Sequence, residues 1–281
     1  LAKKHITQLI TEAYRRPATN HEISKISSLF EKEKASKGTQ AAARLVLIRV
    51  FCSPNFLFKI EKAQNTSKPY KISSYELATR LSYFLWSSSP DKELLLAAKN
   101  DDLQKKELLD KQVIRMLKDP KAKALAEDFA AQWLQFKEIN ETVDLDKKRF
   151  PEFTKELSKD MFTECVETIN YIIQSDSSIL QVIDSNYIFA NENIARLYGV
   201  PNIKGKQFRK INLKDKTRGG IITTPAIMAM TSYPLRTSPI LRGNWVISAL
   251  LGTPTPPPPS NVEELPEDDS VNDGLSIKQR F

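Results

Sequence analysis

The residue types that could do chemistry in this 281-residue chain are few. His5 and His21 are its histidines and Cys52 and Cys165 its cysteines. The two histidines are well separated and have no matching carboxylate pattern, so they make poor candidates for a zinc centre or a Ser/Cys–His pair. Each cysteine lies in an apolar helical context. Both are expected to be buried free thiols, although a disulfide between them is possible. Asp160, Glu164 and Glu167 fall on one helical stretch, as paired general acids and bases would. With 34 acids in the chain, such spacing is expected by chance. No constellation identifies a reaction, no metal ligand set is readable, and whether the chain is an enzyme stays open.

Anion binding is the other chemistry the residues suggest. Ser238 has the character of a helix N-cap, with Pro239 at the first helical position and Arg236 and Arg242 about one turn to either side. A helix start flanked by guanidinium groups can hold a carboxylate. The structural alternative has these arginines tying down carbonyls of 223–233, and it is the favoured reading. A second group comprises Lys204, Lys206, Arg209, Lys210, Lys214, Lys216 and Arg218. It is either an exposed loop with a short hairpin, the favoured reading, or a local anion-binding patch. Net charge is +8. The stretch 261–281 carries six acids and two bases, which leaves 40 bases against 28 acids in 1–260. That balance suits nucleic acid, acidic polysaccharide or a lipid surface. No nucleic-acid-binding signature accompanies it, and a solvated lysine-rich surface explains it more simply.

The elements that must position these groups are helical, and the fold class is mainly α. Glycine is scarce, and most of the eight lie at or after Gly199, which disfavours a many-stranded fold. Ile6, Leu9, Ile10 and Ala13 recur at helical spacing, and Arg16-Pro17 ends that helix. Thr19 or Asn20 opens the next helix, which Gly38 breaks. A further helix runs to Cys52 and stops at Ser53-Pro54. Ser73 with Glu76 is a capping-box pair, and Ser89-Pro90-Asp91 restarts a helix by cap-then-proline logic. Helices are expected over 102–118 and 120–136, the latter with a core stripe of Leu125, Phe129, Trp133 and Phe136. The longest covers 151–174. Tyr187-Ile188-Phe189 is extended, Asn191 caps 192–198, and Gly199 stops that helix. In 239–251, Ile240, Leu241, Trp245, Val246, Ala249 and Leu250 share an apolar face; Gly252 ends the helix, and Pro254 and 256–259 follow as a polyproline strap. The expected organisation is a small N-terminal helical domain, 1–61, and a central helical domain, 72–201. A C-terminal segment with the capped helix and proline strap, 202–262, leads to an acidic linker, 263–281. No stretch has the roughly 18 uninterrupted apolar residues of a membrane span.

Several stretches together resemble one family. They are ELATRLSYFLWSSSPDKELLLAA (76–98), LKDPKAKALAEDFAAQWLQFKEI (117–139), NYIFANENIARLYGVP (186–201) and LRTSPILRGNWVISALLGTPTPPPPSNV (235–262). AYRRPATNHEI (13–23) and LIRVFCSPNFLFKIE (47–61) resemble the short helical domain that precedes them. The family is that of planctomycete-type proteins built from domains of unknown function associated with cytochrome c. The resemblance implies an exported fragment of a longer parent, periplasmic or at the cell surface. In that parent a Cys-x-x-Cys-His motif beyond SIKQRF (276–281) would carry haem c. It thus implies no cofactor within this chain, and a redox partner reached through the parent. It also makes a haem propionate the anion that Arg236, Ser238 and Arg242 would hold. The alternative from a different class is a basic cell-surface module for acidic polysaccharide or a protein partner.

Overall fold

The computed structural model describes residues 2–143, 145–214, 217–253 and 255–256. It divides into two compact units, Leu1–Ala122 and Lys123–Phe281. The fold is mainly α: the described residues form eleven α-helices and a single two-stranded sheet.

The first unit opens with α1 (Ala2–Tyr14) against α2 (Asn20–Phe51). Thr19 caps α2 in a reciprocal box: its hydroxyl accepts from the Glu22 amide, and the Glu22 carboxylate accepts from the Thr19 amide. Gly38 interrupts α2 with φ 84° and ψ 172°, so the chain kinks there instead of continuing straight. Ile6, Ile10, Ile26, Phe30, Val46 and Val50 fill the core between these helices. A short α3 (Pro54–Leu57) follows, capped by Ser53. Then comes α4 (Ser74–Trp86), where Ser73 and Glu76 form the expected capping box. The next helix, α5 (Lys92–Lys99), is capped by Asp91 and not by Ser89, with Pro90 left outside the helix. The aspartate wins because its carboxylate accepts the Leu94 amide at 2.8 Å and also receives the Arg115 guanidinium. The helix expected over 102–118 is α6 (Lys106–Leu117), preceded by a 3₁₀ turn at Asp102–Gln104. Leu85, Trp86, Leu94, Leu103 and Met116 are buried, and the Trp86 indole donates to the Met116 carbonyl at 2.9 Å.

The segment 120–136, which runs on into the second unit, is not one regular helix. It passes through a 3₁₀ turn (Pro120–Lys123), a π-helical stretch (Leu125–Ala130) and α7 (Ala131–Trp133). The wide π turn shifts the phase of the side chains. Ala126, Ala130, Ala131 and Leu134 therefore face the core, while Phe129 (52% exposed) and Trp133 (40%) stack on each other at the surface. Of the expected core stripe only Leu125 and Phe136 are buried. The centre of the unit is α8 (Lys155–Gln174), capped by Thr154. Its residues Leu157, Met161, Cys165, Val166, Ile169 and Ile172 pack within the main cluster.

An antiparallel hairpin joins β1 (Tyr187–Ala190) to β2 (Arg209–Asn212), with Ile188 opposite Ile211. Between them lies α9 (Glu192–Leu197), capped by Asn191 and closed by Gly199 in the left-handed region. Two further helices, α10 (Pro225–Met230) and α11 (Pro239–Trp245), follow. The Ser238 hydroxyl accepts from the Leu241 amide as the sequence suggests, and a π-helical stretch, Val246–Leu250, extends α11. Trp245 and Ala249 are buried, but Ile240 is 57% exposed, because a residue at the second helical position points away from the face that carries Trp245. The strap residues Pro254 and 257–259 lie outside the described residues.

Candidate functional site

Helix α8 places Glu164 between Met161 and Thr168, inside its apolar face, where the carboxyl is fully buried. Two other segments converge on it. Tyr198, at the end of α9, brings its phenol alongside the carboxyl. Arg218 lays its guanidinium over the Tyr198 ring at 4.6 Å and donates to the Thr223 carbonyl at 3.4 Å. Arg218 is positioned by the glycines behind it. A Cβ on Gly219 would sit 2.0 Å from the Ser185 carbonyl oxygen, and one on Gly220 (φ 71°) would sit 1.9 Å from that of Ile183. Only glycine lets the chain press this closely against 183–185.

The electrostatics follow from burial. Desolvation pushes the Glu164 carboxyl up to about 8, outweighing Tyr198 and Arg218, both of which favour the carboxylate. The same burial, with the neighbouring carboxyl, drives the Tyr198 phenol and the Cys165 thiol upward. Both Glu164 oxygens, the Tyr198 hydroxyl and the Arg218 Nε lack a hydrogen bond of full geometry among the described residues. At neutral pH the group is thus a protonated, neutral acid. Being sealed, it reaches no substrate without a local opening.

The carboxylates Asp160, Glu164 and Glu167, which share one stretch of α8, diverge in role. Asp160 accepts from the Asn193 amide at 2.7 Å, and Glu167 pairs with Lys123 at 2.8 Å. Of the thiols, Cys165 is buried and touches the Thr224 hydroxyl at 3.5 Å. Cys52 is exposed, contrary to expectation, because it caps the end of α2 beyond the last buried residue, Val50. Both are free.

Arg236, Ser238 and Arg242 lie close to one another in sequence and structure. The Arg236 guanidinium covers the Tyr233 ring at 4.4 Å and donates to the Thr237 carbonyl, and Arg242 Nε donates to the Thr231 hydroxyl at 3.3 Å. Ser238 is buried in its capping role. The lysine-rich segment is largely engaged with its own surroundings. Lys204 pairs with Glu192 at 3.3 Å and Lys206 with Glu156 at 2.7 Å. Arg209 donates to the Lys204 carbonyl, while Lys210 sits over the Tyr171 and Tyr187 rings at 4.0 and 4.2 Å. Lys214 is exposed, and Lys216 lies outside the described residues. Arg218 belongs with Glu164. Sequence reasoning placed it in the basic patch and missed its partners. The available signal was a glutamate in phase with Leu157, Met161 and Thr168 on an otherwise apolar face.

Three family comparisons bear on what carries this geometry. Residues 1–61 match PSD5, a protein of unknown function (DUF1595), and 72–200 match PSD4, a protein of unknown function (DUF1592). Residues 218–281 match PSCyt3, a protein of unknown function (DUF1588). The chain belongs to the planctomycete-type, cytochrome-c-associated proteins of unknown function. No curated protein and no solved structure matches it. In this cytochrome-c-associated chain the 72–200 match spans the division between the two compact units at Ala122 and Lys123.

The association with cytochrome c raises haem as a cofactor, and the residues present do not fit it. Covalent haem c needs two cysteines and a histidine in Cys-x-x-Cys-His spacing, and the sequence has none. Cys165 is sealed in a core, whereas Cys52, His5 and His21 are exposed and separate. Among the described residues no group of three or more His, Cys, Asp or Glu side chains could hold a metal ion. No described helix is long and apolar enough to cross a membrane.

Proposed function

We propose that this chain is the helical body of an exported, multidomain c-type haem protein, and that it supports electron transfer without ligating the haem itself. The observation that carries this reading is the order of the three matches, which ends in the cytochrome-named PSCyt3 domain over 218–281. The misfit of its cysteines and histidines to haem attachment supports placing the haem elsewhere in the parent. Export follows from the same reading, because c-type haem is attached outside the cytoplasm. The alternative, a basic module that grips acidic polysaccharide through 204–218, gains little from that segment, where most of the cations already have partners.

A reduced-minus-oxidised absorbance spectrum tests the proposal. The parent protein would be exported from a host able to attach haem c and compared with residues 1–281 alone. A c-type spectrum is expected from the parent and none from 1–281. A featureless parent would overturn the reading.

A further inference from the structure

The second half of α2, residues 39–51, is apolar on two opposite sides. Ala42, Val46 and Val50 point into the core of the first unit and are buried. On the outer side, three or four residues apart, stand Arg44, Leu47, Ile48 and Phe51. Leu47, Ile48 and Phe51 are 42%, 58% and 42% exposed. A helix that is apolar all round is normally covered on every side. Singly scattered apolar residues need no such cover, but these share one face. Beside the stripe runs an apolar trough of about 680 Å³, walled by Ile6 and Leu9 of α1 and by Phe30, Val46 and Leu47 of α2. Leu47 belongs to both.

The charges around the stripe decide what can cover it. Lys34 and Lys37 pair with Glu31 and Glu33 on their own helix at 4.0 and 3.0 Å, and Lys59 lies over the Tyr83 ring. The face thus lacks the cluster of about four or more basic groups through which anionic lipid recruits a surface. What the stripe does contain is its own complement. Arg44 is a cation with no acid near it in sequence, since none stands between Glu33 and Glu61. Seven residues on, and on the same face, is the Phe51 ring, which Phe56 steadies at 4.9 Å between ring centres. Two copies laid antiparallel about a two-fold axis between Leu47 and Ile48 put Arg44 of each against Phe51 of the other. That makes one cation–π pair twice over. The same symmetry sets Ile48 against Ile48 and brings Leu47 of each copy to the mouth of the other's trough.

We propose that this face docks a second copy of the chain, the two α2 helices packing antiparallel through Leu47, Ile48 and Phe51 as a symmetric dimer. Because both copies use the same patch, association closes at two and does not run on into a fibre. A standard interface takes about 800 Å² from each partner, more than one half-helix and its trough supply. The pair is therefore weak, with a dissociation constant on the order of 10 to 100 µM. Nothing in this inference depends on where haem resides.

Sedimentation equilibrium of the full chain, over about 5 to 500 µM, tests the proposal. A reversible equilibrium between monomer and dimer is expected. Ile48→Asp sets two carboxylates against each other at the axis and should weaken association at least about tenfold. Its thermal midpoint should stay unchanged, because the side chain is exposed in the single chain. The sign of a charge at position 51 then checks the register. Phe51→Glu and Phe51→Lys lose the same ring, but only the first faces an opposite charge on Arg44. Phe51→Glu should associate several-fold more tightly than Phe51→Lys, and adding Arg44→Gln to each should remove the difference. A chain that stays monomeric throughout, an Ile48→Asp protein that dimerises as before, or equal association of the two position-51 variants would each overturn the proposal. So would flotation with phosphatidylglycerol vesicles that Ile48→Asp abolishes, since the face would then belong to lipid.

Discussion

Glu164→Gln removes the titration of the most deeply buried acid in the described structure, and its effect on stability can be worked out in advance. The carboxyl has a pKa near 8 when folded and an ordinary value of 4.5. The folded state therefore holds a proton that the unfolded chain releases between those values. Because the folded pKa is raised, the stabilising contribution is complete below pH 4.5, falls as pH rises, and is gone above about pH 8. The slope is about 1.4 kcal/mol per pH unit, so the whole window amounts to roughly 5 kcal/mol. The glutamine variant lacks this slope. Groups away from this cluster titrate equally in both proteins, and Tyr198 and Cys165, which feel the Glu164 charge, are held protonated in the fold by their own burial across pH 5 to 9, so the difference isolates Glu164. Urea denaturation followed by tryptophan fluorescence gives the assay. Carried out in a Trp86→Phe background, it leaves Trp133 and Trp245, both in the second unit, as reporters. The stability difference between variant and parent should move in the variant's favour by several kcal/mol from pH 5 to pH 9. A difference that stays flat across that range would refute the assignment of a buried, protonated acid.

Arg15→Ala should cost the first unit about 3 kcal/mol, since it leaves the carbonyls of Asn55, Phe56 and Phe58 without their charged donor; a shift below 1 kcal/mol in a Trp86-monitored urea midpoint would contradict this. Gly220→Ala should destabilise the second unit by more than about 2 kcal/mol through its clash with the Ile183 carbonyl, whereas Gly38→Ala meets open space and should cost about 1 kcal/mol from backbone strain alone; paired thermal melts compare them. Under native conditions a thiol reagent should label Cys52 quickly and Cys165 only on unfolding, and equal rates by mass spectrometry would contradict the burial described.

What could be read from the sequence was whatever depends on near neighbours. The boxes at Thr19 and Ser73, the Asn191 and Ser238 caps, the break at Gly38 and the left-handed stop at Gly199 each depend on residues within one turn, and they stand where expected. Periodicity failed where the helix itself changed pitch. The π turn at Leu125–Ala130 carried Phe129 and Trp133 out of the core, a shift that an ideal helical period does not contain. The buried acid was out of reach for a third reason. Glu164, Tyr198 and Arg218 are brought together by the packing of α8, α9 and the glycine pair at 219–220, and no local pattern announces that approach.

On the proposed function, this chain supports a haem that it does not ligate. Proteolytic mapping of the native parent protein, with absorbance at the Soret band used to find the haem-bearing peptide, tests it most directly. The haem peptide is expected to fall outside 1–281, with Cys52 and Cys165 both recovered as unmodified thiols. Haem recovered on a peptide containing either cysteine, or no haem peptide at all, would contradict it.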